Sequence, residues 1–222
     1  VYSGSIAAAV FAKTTIPDSV IILGPKHTRN GVEWAVAPNS SWAIPGGEVA
    51  SDTELAKQLV DAIDGLKMDA AAHQGEHGIE VELPFLAKLN PKVKVVGITV
   101  GGGTLAQCHS FAAGLAKVLQ EREQETLLVI SSDMNHYAND EDNRRLDEIA
   151  MKALEQLDPD NVFETVTGHG ISMCGVLPAV IAMEAVRQMG GLKSAKRIGY
   201  ATSADVSGDK SRVVGYCGMQ FK

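Results

Sequence analysis

Two histidines and a cysteine stand where a sheet-edge site needs them. His27 follows the apolar run Ser19-Val-Ile-Ile-Leu23 and the pair Gly24-Pro25. His136 closes the stretch Thr126-Leu-Leu-Val-Ile-Ser-Ser-Asp-Met-Asn-His-Tyr137, and Cys174 lies with Gly175 just ahead of an apolar helical run. An imidazole changes charge near neutral pH and ligates metals when neutral. A thiol near a helix N-terminus is biased toward thiolate, the form that binds metal or attacks electrophiles. Asp133 shares the loop of His136 and is placed to orient its ring. Three separated His and Cys donors without a fourth in a zinc motif suit an open metal site. They suit a Cys174–His136 nucleophilic pair equally well. Each also has a plainer reading, Cys174 as a small buried hydrophobe and His27 as a loop residue capping carbonyls.

These residues need strands that end at one edge. In an open α/β sheet the ligand crevice lies at the carboxyl ends of the strands. Residues 19–23, 93–100 and 126–130 are short, apolar and β-branched, as buried strands are. The run at 93–100 ends in Gly101-Gly-Gly103, but neither GxGxxG nor a P-loop pattern is present, so a tight turn is expected there. Helices are expected from Ser5 to about Lys13, with Ser5 as N-cap, and from Asp52 through Ile63. Others fall at 79–89, 104–124, 139–157 and 177–189, with a short one from Pro159. Glu76 and His77 then sit at a helix N-terminus that favours negative charge. The charged run in 139–157 reads as a solvated face. Residues 31–45 read as irregular or as an edge hairpin, and 197–202 and 212–221 as closing strands. Cys108 and His109, on a long amphipathic helix, are given no role.

Strands and helices alternate without a compositional break, which predicts a single α/β domain over residues 1–222 with a mostly parallel central sheet flanked by helices. Hydrophobic residues make up 45% and charged residues 21%, enough for a sizeable core and too apolar for disorder. The net charge is -7 and no Lys/Arg cluster marks a phosphate footprint, so no nucleic-acid partner is expected. No apolar run approaches the roughly 20 residues of a membrane span, so no membrane partner is expected either. No charged-then-apolar signal segment opens the chain, so a cytoplasmic setting is expected, and three widely spaced cysteines argue against a disulfide framework or a CxxC zinc module and for reduced thiols.

The blocks Tyr2-Ser-Gly4, Gly24-Pro-Lys-His27, Glu76-His-Gly-Ile-Glu-Val-Glu-Leu-Pro-Phe85, Ser131-Ser-Asp-Met-Asn-His-Tyr137 and Cys174-Gly175 follow the order seen in the Memo family, also called AmmeMemoRadiSam system protein B. The chain resembles that family from residue 2 to residue 175. The resemblance implies a fold similar to the class III extradiol dioxygenases, which hold non-haem iron(II) with two histidines and a carboxylate. In Memo-like proteins the ligands are two histidines and a cysteine. Carried across, His27 is one histidine ligand and Cys174 replaces the carboxylate. The other histidine belongs to a Pro-His-Ala-Gly-Tyr block ahead of Tyr-Ser-Gly, so it is expected upstream of residue 1.

By the same resemblance His136 is the pocket acid/base, and Asp133, Glu76, His77 and Tyr2 line or support the pocket. Iron(II) is the first expectation for the metal, with copper or zinc as competitors because a thiolate softens the site. The implied function is a metal-dependent, dioxygenase-like oxidoreductase acting on a small molecule or peptide held in the cleft. AMMECR-type and radical-SAM proteins are the partners the family association suggests. The alternative is a non-catalytic metal- or peptide-binding protein that uses the same cleft.

Overall fold

The structure is a computed structural model and describes residues 2–222. In chain order the elements are α1 (Gly4–Phe11), β1 (Ser19–Pro25), β2 (Trp34–Val36), β3 (Ser41–Ile44), β4 (Gly47–Ser51), α2 (Thr53–Ala62), β5 (Lys67–Met68), α3 (Ala70–His73), α4 (Leu83–Leu89), β6 (Lys94–Val100), α5 (Leu105–Gln120), β7 (Thr126–Ile130), α6 (Asp140–Glu155), α7 (Pro159–Gly168), α8 (Val176–Gln188), β8 (Ala195–Thr202), α9 (Ala204–Ser207) and β9 (Gly215–Phe221).

The apolar runs become the middle of the sheet because only a strand covered on both faces can bury every residue. Val20 to Leu23 of β1 are fully buried, and β1 pairs in parallel with β6 on one side and β7 on the other. The path β3-β4-β6-β1-β7 is completed by β2, which runs antiparallel to β6 and parallel to β5. β4 is parallel to β6, and the β3–β4 hairpin closes that end. The sheet is therefore mostly parallel. Cores lie on both of its faces. One is built from α2, α5, α7 and α8 against Ile21, Leu23, Val96 and Ile98; the other gathers Phe11, Leu83 and Leu86 against Val20, Ile22 and Val95.

Helix ends follow the capping residues. Asp52 accepts from the Leu55 N–H, Asn139 from the Asp142 N–H, and Thr104 with Gln107 forms a reciprocal capping box. α1 departs from expectation: it starts at Gly4 with Ser3 before it and no side-chain cap, so Ser5 lies inside the helix. Residues 31–45 are more ordered than their polar composition suggests, since Trp34 to Val36 form a buried strand held by β6. The closing strands β8 and β9 pair with each other in a separate antiparallel sheet. Among the described residues no helix is long and apolar enough to cross a membrane.

Candidate functional site

The parallel strands β1 and β7 end side by side, Leu23 opposite Ile130, and release their polar loops at one edge. His27 lies two residues beyond β1. Its ring Nδ1 is 2.8 Å from Glu76 Oε1, and its backbone N–H donates to Glu76 Oε2. Glu76 Oε1 also accepts the N–H groups of His77 (2.8 Å) and Gly78 (2.9 Å). The residue is buried, 7% exposed. Burial alone would raise its carboxyl; hydrogen bonds from the His27 side chain and backbone and the Gly78 amide outweigh that and hold it below the usual carboxylate range. The helix-terminus reading of Glu76 is corrected: residues 79–82 form turns, α4 begins only at Leu83, and the carboxylate is held by these local amides and by His27. The His77 ring stacks on His27 at 4.7 Å.

The opposite wall comes from the loop after β7. His136 Nδ1 lies 2.7 Å from the Ser172 carbonyl, which can only accept, so Nδ1 carries the proton in the neutral ring. Nε2 is left facing Asp133 Oδ2 at 3.7 Å. A lone pair opposite a carboxylate favours protonation. The Asp133 interaction, opposed by burial and helped by the Ser172 carbonyl, raises the His136 pKa above its ordinary value. The next residue, Tyr137, adopts a left-handed conformation (φ 69°), and the Arg212 guanidinium lies 4.4 Å from the centre of its ring.

Cys174 approaches the same loop from the other direction. Its Sγ accepts the Asp133 N–H at 3.1 Å and lies 3.8 Å from Ser132 Oγ. Gly175 N–H donates to Ser132 Oγ at 2.8 Å, and a Cβ at position 175 would lie 2.5 Å from Ser132 Cβ. Only glycine permits this approach. The expected bias toward thiolate is corrected, because burial raises the Cys174 thiol and outweighs the Asp133 amide that would lower it. A Cys174–His136 pair does not form: the thiol bonds to Ser132 and Asp133, the imidazole to Ser172 and Asp133.

One cavity of about 680 Å³ brings together His27, His77, Asp133 and Cys174, with Tyr216 and Glu82. Glu76 sits beneath His27 and His136 meets the cavity through Asp133; neither lines it, nor does Tyr2, which is largely exposed. Among the described residues, one triad of donor atoms lies within 4.8 Å of one another, on His27, Glu76 and His77. Glu76 is already engaged by four N–H groups there and is better suited to hold His27 than to ligate. Its bond at Nδ1 leaves His27 Nε2 as the free donor, the usual arrangement of a carboxylate-oriented metal histidine. The nitrogen of His27 and the sulfur of Cys174, opening on one cavity, fit a borderline or soft divalent metal.

Two features were not legible in the motifs. Burial pushes the Glu82 carboxyl up to about 7, although its interaction with Ser131 opposes this. The only signal was an acid wedged between Val81 and Leu83. The second is a buried network behind the His136 loop. Asp147 Oδ1 accepts the Asn135 N–H at 2.7 Å, while Oδ2 accepts Tyr200 O–H at 2.6 Å and Asn143 Nδ2 at 3.0 Å. Asn143 and Asp147 are fully buried, which corrects the reading of this part of α6 as a solvated face.

The molecule is thus an α/β protein with a mostly parallel sheet and a histidine- and cysteine-lined cleft at its strand ends. Residues 1–220 match the sequence profile described as Memo-like protein. A MEMO1 family protein of Aquifex aeolicus is 36% identical over 222 residues, covering all of this chain and 82% of that protein. Another from Aeropyrum pernix is 38% identical over 219 residues, covering 97% of this chain and 77% of its own. The chain belongs to the Memo family. A solved structure, the uncharacterized protein JW3007 from Escherichia coli K12, shares the fold with a TM-score of 0.63 over 97% of this chain and 92% of that one, at 14% identity.

Proposed function

We propose that this Memo-family protein is a metal-dependent oxidoreductase whose ion is held by His27 Nε2 and Cys174 Sγ. Iron(II) is the first candidate, and copper or zinc compete for a site containing a thiolate. What carries the reading is the clamp on His27: a buried carboxylate fixes Nδ1 and leaves Nε2 free on the cavity that Cys174 also lines. When bound, such an ion supplies Lewis-acid polarisation and, for iron or copper, one-electron chemistry. The chain's own groups supply the rest. Glu76 orients the ligand ring through its bond to Nδ1. His136, held protonated at Nδ1 by Ser172 and favoured as imidazolium by Asp133, is the proton source, and its Nε2 proton reaches the cavity through the Asp133 carboxylate that lines it. The substrate is a small molecule or an extended peptide end that fits the cavity.

The test is metal content of the full gene product, purified without a histidine tag and without added metal. Near-stoichiometric iron or copper is expected, lost in both His27→Ala and Cys174→Ala, and Glu76→Gln weakens affinity roughly 10- to 100-fold. Unchanged thermal melting of the apo variants separates ligand loss from misfolding. A folded protein that takes up neither metal after anaerobic addition overturns the reading and directs the search to a peptide partner.

A further inference from the structure

Tyr137 follows His136 directly, and its backbone is held where a side chain is disfavoured. Its φ of 69° lies in the left-handed region that tyrosine seldom occupies, and the residue is 62% exposed, so no core packing keeps it there. An antiparallel zipper between residues 134–140 and 210–215 does. Met134 N–H donates to Gly215 O, and Gly215 N–H to Asn135 O. Tyr137 N–H donates to Val213 O at 2.6 Å, Val213 N–H to Ala138 O at 2.9 Å, and Asp140 N–H to Lys210 O at 3.0 Å. His136 sits in the middle, bridged to Val214. Residues 205–212 are exposed throughout, so the approach to the zipper's second segment has little packing of its own. Even the guanidinium beside the Tyr137 ring comes from that stretch, on Arg212.

Arg144 of α6 joins the two sides. Its Nε donates to Asp140 Oδ2 at 3.0 Å, at the end of the first segment, and its Nη2 donates to both Asp205 oxygens at 2.9 and 3.0 Å, on the approach to the second. Thr202 completes the clasp: its hydroxyl donates to Asp140 Oδ1 at 2.6 Å and its N–H to Asp205 Oδ2 at 2.7 Å. Arg144 and Thr202 hold the Asp140 carboxyl below the usual carboxylate range, and the Thr202 amide and Arg144 do the same for Asp205, so the clasp is ionic at neutral pH.

We propose that Arg144 is a positioning residue for His136: by clasping Asp140 to Asp205 it holds the zipper shut, keeps Tyr137 left-handed and so keeps the imidazole between Ser172 and Asp133. This rests on the acid role given to His136 above. Arg144 does not line the cavity and acts through the backbone. Ser172 grips His136 from the inner side, through its hydroxyl to the His136 N–H and its carbonyl to Nδ1, but the residue that follows is held by the zipper. A strained residue stays in place only while its surroundings over-determine it. With the clasp cut, Tyr137 relaxes to negative φ, its bond to Val213 breaks, and the ring before it turns away from Asp133.

The test is NMR on the full gene product without added metal, comparing the parent with Asp205→Ala, which opens the clasp from its exposed side and leaves α6 intact, and with Arg144→Gln. Exchange of the Tyr137 amide should rise about tenfold or more in both variants. The acids that face the His136 ring are Asp133 and, farther off, Asp147; as the ring leaves Asp133 its pKa should fall toward 6.5. Tyr137→Gly added to Asp205→Ala should restore the parent titration, because glycine takes the left-handed conformation without strain. Mere loosening of the surface would show no such rescue. A His136 titration unmoved in Asp205→Ala, or a double variant that titrates like Asp205→Ala alone, overturns the proposal, and Asp205→Ala decides the matter if Arg144→Gln does not fold. Neither readout involves metal or turnover, so a protein that takes up no metal overturns the oxidoreductase reading and leaves these outcomes legible.

Discussion

On the β1 wall of the cleft one buried carboxylate, Glu76, grips His27 through both ring and backbone. On the β7 wall no single residue plays that part: His136 hangs from Ser172, Ser172 from Asn135, and Asn135 from Asp147 and Asn143 of α6. The first wall is a short-range device, built from residues that bond directly to the ring. The second is a relay, whose geometry depends on a helix and on the β8–β9 hairpin that supplies Tyr200. A direct clamp tunes one side chain; a relay couples the site to the stability of the fold.

The sharpest test of that contrast is Asp147→Ala. It leaves the Asn135 N–H, the Tyr200 O–H and the Asn143 amide without their buried acceptor, and the expected loss is about 3 kcal/mol or more. Denaturant unfolding measures it. A loss below about 1 kcal/mol would break the comparison, since α6 would then not be anchoring the loop.

Glu82 sharpens the comparison from the cleft itself. Its folded carboxyl is raised from an ordinary 4.5 to about 7, so between those values the folded state binds more protons than the unfolded one. Stability is therefore fullest below 4.5 and declines as pH rises toward 7, by about 3 kcal/mol at most. Glu82→Gln should remove that decline. Unfolding free energies at pH 5 and pH 8 that change equally in both proteins would show that the acid is not buried as described.

The smallest effect belongs to Asp133→Asn. The His136 pKa is raised, so its contribution to stability is present at low pH and is lost as pH rises through the folded value. With Asp133 half-exposed and 3.7 Å away, the pair is worth about 0.5 kcal/mol. NMR titration of the His136 ring should show its pKa falling in the variant while the Ser172 bond persists. An unmoved titration would place the cause of the shift elsewhere.

The unequal legibility of the two walls has a physical origin. β1 and β7 could be read because strands buried on both faces leave apolar runs, and their loops could be read because polar residues bunch at strand ends. Glu76 was visible as a residue, but its bond to His27 joins positions 49 apart, and no local period encodes that. Asn143 and Asp147 depart from the solvated face expected of the charged run in 139–157, because polar residues on a charged helix ordinarily face water; what buries them is the later hairpin carrying Tyr200 and Gly215. The separateness of β8 and β9 was equally hidden, since alternation reports a strand and not its neighbours.

The contact at Gly175 sets how far this protein can be altered. A library randomised at 174 and 175 should divide sharply. Serine at 174 keeps nearly the same volume and returns folded clones that have lost only the sulfur. At 175 even a methyl group runs into Ser132 and the Ser131 carbonyl, so survivors there are glycine alone or carry a second change in the loop after β7. An engineer wishing to exchange the donor atom has a free hand at one position and none at the next.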